Sequence, residues 1–172
     1  SVKIGKTVTL NDYAFYRMGA LTYIYIDTPS YDRAFAYRST SYYSTNITHH
    51  VDTTVELGPN ASGGATSAFW CNSDISKLII NEGITSLGSL CALCGWLSVI
   101  ECRCVTPPAI TTNTFRVYKE IPIGKYAKDS DPDKELQLKV PDGSESAYSD
   151  ESTPWKTVVQ DQCGFKLVTT TF

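Results

Sequence analysis

One spacing recurs in this chain that few folds can use: an apolar residue, two others, an apolar residue, one other, and a third apolar residue. It occurs as Leu21, Ile24 and Ile26 in ALTYIYI, as Ile75, Leu78 and Ile80 in ISKLII, and as Leu97, Ile100 and Cys102 in LSVIEC. The last two members of each triplet are two positions apart, so they share one face of a short strand, and the first sits on the turn leading in. Ile75 and Leu97 stand 22 positions apart, a spacing at which units of one strand and one connection stack side by side over a shared core. Long helices are not expected, because apolar residues rarely recur at three and four positions over a dozen residues.

A second pattern interleaves with the first. LNDYAF (Leu10 to Phe15), YDRAF (Tyr31 to Phe35), SAF (Ser67 to Phe69) and TNTF (Thr112 to Phe115) each set a small residue before an aromatic one. The small residue fits where turns crowd and the ring fills the space between layers. Val55-Glu56-Leu57-Gly58, Thr85-Ser86-Leu87-Gly88 and Leu10-Asn11 read as turns entering such units. No clean triplet falls between Phe35 and Val55, and Pro59 to Thr66 reads as a glycine-rich insertion.

These residues resemble the BspA-like leucine-rich repeats of bacterial surface proteins, whose unit runs approximately I-G-D-x-A-F-x-x-C-x-x-L-x-x-I-x-I. LNDYAFYRMGALTYIYI follows it from Leu10 to Ile26, with Met18 in the cysteine position. SLGSLCALCGWLSVIEC follows it one residue short. The closing segment of that family is matched by Thr106-Pro107-Pro108, Thr114-Phe115, the run from Leu138 to Tyr148, and Trp155. The resemblance implies an α+β, mostly β solenoid with stacked short strands, irregular connectors and a C-terminal cap. It also implies an exported bacterial protein at the cell surface or outside the cell, with a lipid anchor before processing as one route to the surface. The expected layout is a single domain over 1–172, with repeats over about 4–115, an exposed insertion over about 116–135 and a cap over about 136–172. In the cap, Pro141 should stop a strand, Ser144 should cap a short helix toward Tyr148, Pro154 should end that excursion, and Cys163 to Phe172 could add a final strand.

Composition excludes several function classes. With 42% hydrophobic and 19% charged residues the chain has the balance of a folded protein. A net charge of −3 gives no basic face for a phosphate backbone, so nucleic acid is not an expected partner. No apolar run approaches the roughly 20 residues of a membrane span. The sequence opens at Ser1, not Met, as expected if an exported leader has been removed.

Chemistry-bearing residues are few. Cys91, Cys94, Cys102 and Cys104 could enclose zinc, yet Ile100, Cys102 and Cys104 alternate with Glu101 and Arg103, which points the thiols inward as small apolar residues. Buried thiols are therefore expected, with a disulfide or zinc as alternatives, and Cys71 and Cys163 complete a count of six. His49 and His50 are adjacent, so a strand would send them to opposite faces. Asp129, Asp131 and Asp133 read as a solvated loop, since Pro132 interrupts them and the glycine and glutamate of a calcium loop are missing. Asn46 to Thr48 and Asn60 to Ser62 match a glycosylation pattern that carries no meaning in a bacterial protein. No cofactor, metal or catalytic residue is nominated.

The outward strand face is the candidate site. By register, Thr22, Ser76 and Ser98 form one row, Tyr23, Lys77 and Val99 a second, and Tyr25, Ile79 and Glu101 a third. Tyr23, Tyr25, Lys77, Ile79, Val99 and Glu101 are the expected contacts for a host or matrix protein or a glycan. A surface spacer has the same scaffold. An enzyme-associated or glycan-binding unit of a nutrient-uptake system is a second class, though Glu56, Glu82 and Glu101 look too evenly scattered to form an acidic cleft. A third is an architectural subunit with weak self-association through sheet edges or an uncapped end near Val2 to Val8.

Overall fold

The computed structural model describes residues 1–15, 21–35, 51–62, 68–69, 75–91, 97–115, 135–157 and 166–172. These form a single sheet of seven short strands in the order β1 to β7: Val2–Ile4, Tyr23–Ile26, Thr53–Leu57, Ile75–Ile80, Val99–Cys102, Glu135–Val140 and Lys166–Thr171. Every strand pairs parallel with the next. Helix is scarce among the described residues: a 3-10 turn at Pro59–Ala61, α1 at Glu145–Ser149 and α2 at Pro154–Lys156. No helix among them is long and apolar enough to cross a membrane.

The triplets lie where their spacing requires. Ile24 stands opposite Val55, Val55 opposite Leu78, Leu78 opposite Ile100, and Ile100 opposite Leu138. Ile26, Leu57, Ile80 and Cys102 form the next row. All of these side chains are buried, and each contributes roughly 1.5–3 kcal/mol by leaving water. The leading residues are buried too, Leu21 and Leu97 just before β2 and β5 as expected, whereas Ile75 is the first residue of β4 and not on a turn before it.

Behind the sheet the small-aromatic dipeptides stack. Phe15 and Phe35 lie parallel with ring centroids 4.7 Å apart, and Phe35 and Phe69 follow at 5.1 Å. Backbone bonds set this period: Phe15 N–H donates to the Ala34 carbonyl, Phe35 to Ala68, Phe69 to Leu90, and Cys91 to Thr114. Leu90-Cys91 thus occupies the place of an Ala-Phe pair, a unit whose ring has been replaced by a thiol.

One expectation is overturned outright. Val55-Glu56-Leu57 is the second half of β3, and only Gly58 lies beyond it. Alternating burial of Thr53, Val55 and Leu57 puts them on the core face and Thr54 and Glu56 outward. Asp52 stands where a triplet would start, and Thr53 fills that place instead. Its hydroxyl donates to the Leu21 carbonyl at 2.7 Å, which satisfies the buried polar group, and the ladder shifts register beside it.

The closing region follows the sequence in outline. β6 stops at Val140 before Pro141, α1 carries the buried Tyr148, and β7 supplies the final strand. Two details differ. Ser144 precedes α1, but its hydroxyl turns back to the Pro141 carbonyl at 2.6 Å and does not cap the helix. Pro154 begins α2 and does not end an excursion, because its fixed φ suits a first helical turn, and Thr153 caps that turn. Trp155 then packs edge-on against Tyr148, centroids 5.3 Å apart, and donates its indole N–H to the Pro108 carbonyl. Of the expected insertion, Glu135 opens β6 and 116–134 lie outside the described residues, as do His49, His50 and the Asp129 to Asp133 run.

Since Leu57 is a core strand residue, Leu57→Ala should cost about 2–5 kcal/mol in urea unfolding. A turn residue at that position would lose less than about 1 kcal/mol.

Candidate ligand-binding face

The outward side chains form rows as the strands stack. Tyr23, Thr54, Lys77, Val99 and Gln137 make one row; Lys3, Tyr25, Glu56, Ile79, Glu101 and Lys139 make the next. A third row follows the strand ends, where the N–H groups of Asp27, Gly58, Asn81 and Arg103 donate to carbonyls one strand back. Five of the six expected residues, Tyr23, Tyr25, Lys77, Val99 and Glu101, lie on this face and are partly exposed. Ile79 shares the row yet is only 8% exposed. It stands between Glu56 and Glu101 in that row and offers little surface of its own.

The polar groups are joined into one network. Tyr23 Oη donates to Glu56 Oε2 at 2.6 Å, and Asn81 Nδ2 donates to Glu56 Oε1 at 2.9 Å. Asn81 Oδ1 accepts from Arg103 Nη1 at 2.8 Å. The guanidinium also grips Glu101 through Nε and Nη2, at 2.9 and 2.7 Å, while Lys77 Nζ reaches the other Glu101 oxygen at 2.8 Å. Arg103 Nη1 lies 3.8 Å from Glu56 Oε1. Glu56 and Glu101 therefore converge on Arg103, contrary to the even scatter that their sequence positions suggest. The reason is β3, which sets Glu56 beside Ile79 and within reach of the guanidinium. Glu82 does not join them; it lines a cleft of about 310 Å³ with Gly83, Ile84, Thr85, Cys104 and Val105 to Pro107.

These contacts shift the protonation equilibria. Burial, the hydrogen bond to Glu56 and that residue's charge push Tyr23 up to about 12. Burial followed by the charges of Asp27 and Glu56 also raises Tyr25. For Glu56, burial acts upward, but the bonds from Tyr23 and Asn81 and the Arg103 charge outweigh it and lower the carboxyl. Glu101 is lowered in the same way, with Lys77 and Arg103 overcoming burial.

Gly58 shapes the edge of this face. A Cβ there would come within 2.4 Å of Asp27 Oδ1 and 2.6 Å of Tyr25 Oη, so only glycine lets both oxygens lean across the strand end. Asp27 in turn accepts from the backbone and side-chain nitrogens of Asn60, at 2.9 and 3.1 Å, which fixes the 3-10 turn. Tyr25 Oη has no hydrogen-bond partner among the described residues.

The thiols lie on the opposite, core side. Cys91, Cys102 and Cys104 are buried and free, and Cys94, Cys71 and Cys163 lie outside the described residues. Tyr148 Oη gives its single proton to the Cys104 carbonyl at 2.6 Å, so at 3.2 Å it accepts from the Cys102 thiol. The neighbouring Cys102 thiol and burial raise Cys104 well above the usual thiol range, and its own S–H turns to the Asn81 and Ile84 carbonyls. These are core groups in a satisfied network. No cluster of three or more metal-ligating side chains occurs among the described residues.

Sequence reasoning missed Glu56, Asn81, Arg103 and Asp27. The alternation of Thr53, Val55 and Leu57 was the available signal for Glu56. For the other three it was their place one residue beyond a strand end. Compared with known protein families, curated proteins and solved structures, the chain matches none of them.

Glu56 and Glu101 are lowered in the folded chain, so the stability they add is full above their unfolded values and fades as pH falls through the depressed ones. Glu56→Gln should therefore flatten the fall in urea midpoint between about pH 5 and pH 3; an unchanged acid limb would contradict the network. Gly58→Ala should cost about 1–3 kcal/mol by thermal unfolding, since Tyr25 and Asp27 must move.

Proposed function

We propose that the chain is a short leucine-rich-repeat solenoid of the BspA-like kind, a non-catalytic module that binds a protein or glycan at the bacterial cell surface or outside the cell. The observation that carries this reading is the pair of tyrosines on the outward face. Tyr23 is locked by Glu56 at 2.6 Å, and Tyr25 stands two residues on along the same strand with its hydroxyl unpartnered among the described residues. Rigid aromatic side chains supply contact area at small entropic cost, and here the bond to Glu56 holds Tyr23 before any ligand arrives. Parallel stacking of strand upon strand, with the small-aromatic dipeptides behind, supports the solenoid part of the reading. The spacing of the triplets and the closing segment supports the family.

The test is an array of proteins and glycans probed with the wild-type chain and with Tyr23→Ala and Tyr25→Ala. Binding that both substitutions weaken is the expected result. Absence of any ligand, or binding indifferent to both changes, would sink the face as the site.

A further inference from the structure

The occupant of this face can be narrowed by its charge, its apolar content and its open hydrogen-bonding positions. Over β1 to β5 and the residues just beyond them, three cations, Lys3, Lys77 and Arg103, oppose three carboxylates, Asp27, Glu56 and Glu101. Lys77 and Arg103 are already paired with Glu101, and Arg103 with Glu56. A strongly charged partner would find no net field to meet and would have to break these pairs. Beyond Tyr23, Tyr25 and the partly exposed Val99, the face carries little of the apolar surface found at the centre of a protein interface. Among the described residues, the large exposed hydrophobics are Val8, Tyr13, Val105 and Phe172, and none lies on β2 to β5. Ile79, the large aliphatic residue at the middle of the face, is covered.

What remains open is of one kind. Two half-buried tyrosines sit about 6.6 Å apart along β2, side by side on one face. Around them, Asp27 Oδ2 carries one bond from Asn60, and Glu56 carries one bond at each oxygen, from Tyr23 and Asn81. A carboxylate offers about four lone-pair positions, so both retain free acceptor sites. Tyr25 adds a hydroxyl without a partner among the described residues. Aromatic rings with uncommitted carboxylate acceptors at their rim suit a molecule whose faces are C–H and whose edges are O–H donors.

Resting on the proposal that this face is the ligand site, we infer that its ligand is a neutral glycan, with pyranose rings laid over Tyr23 and Tyr25 and hydroxyls directed to Asp27 and Glu56. Glu56 acts as a positioning residue, holding the Tyr23 ring through its hydroxyl while Asn81 and Arg103 hold Glu56. A uronic-acid polymer would bring carboxylates against acceptors, which disfavours it. A lysine-rich peptide would meet the charges of Lys77 and Arg103 and find Glu56 and Glu101 already paired with them, which leaves Asp27 alone to receive it.

The test uses calorimetric titration of the whole chain with three probes: neutral linear hexasaccharides of glucose, mannose or galactose, uronic-acid oligosaccharides of the same length, and a lysine-rich peptide. Saturable binding of at least one neutral hexasaccharide is expected, with affinity unmoved by added salt because no net charge is exchanged. Tyr23→Ala or Tyr25→Ala should weaken it about tenfold, and Tyr25→Phe by a smaller factor because the ring remains. Circular dichroism of each variant separates loss of binding from loss of fold. Salt-sensitive binding of the uronic acid or the peptide alone, still dependent on the tyrosines, overturns the neutral-glycan inference and leaves the face standing as a site. Silence from all three probes overturns the inference; silence on the array as well overturns the face.

Discussion

No described strand is longer than six residues, and a strand that short has no stability of its own. What sustains each is lateral pairing with a parallel neighbour, in a register that lays Ile24, Val55, Leu78, Ile100 and Leu138 in one buried line. The pairing does not end with the strands. Asp27, Gly58, Asn81 and Arg103 each donate an N–H to the strand before, which extends the ladder by one residue. That extra rung places the Asp27 carboxylate, the Asn81 amide and the Arg103 guanidinium at fixed points beside the outward face. The order of the site is therefore a by-product of the backbone ladder, and side-chain bonds only finish it.

The same dependence explains which parts of the structure were legible. A triplet is read from three apolar residues, and β2, β4 and β5 have them. β3 has Val55 and Leu57, but Asp52 where the first should be. Thr53 takes over that buried position by bonding to the Leu21 carbonyl at 2.7 Å, a tertiary substitution with no local trace. Missing β3 had consequences beyond one strand. The rows of Tyr23 with Lys77 and of Tyr25 with Ile79 were correct as rows, yet the members are separated by β3, and without it Glu56 has no place. The convergence of Glu56 and Glu101 on Arg103 was invisible for that reason. Leu90-Cys91 keeps the backbone bonds of an Ala-Phe pair while having neither a small residue nor a ring, so it is legible through the alignment of SLGSLCALC with the repeat and not from the dipeptide itself.

Ion pairs at a protein surface usually contribute little, so the cluster around Arg103 needs a reason beyond its charges. Its geometry supplies one. The guanidinium is planar and donates in several fixed directions, and here those directions reach Glu101 and Asn81, with Glu56 at 3.8 Å, on three strands. Lysine could not span them. Asn81 serves in between because its amide presents an acceptor to Arg103 and a donor to Glu56 at once. The result flanks the buried Ile79 and holds Tyr23 through Glu56. The pairs matter as a frame for an aromatic surface more than as a source of stability.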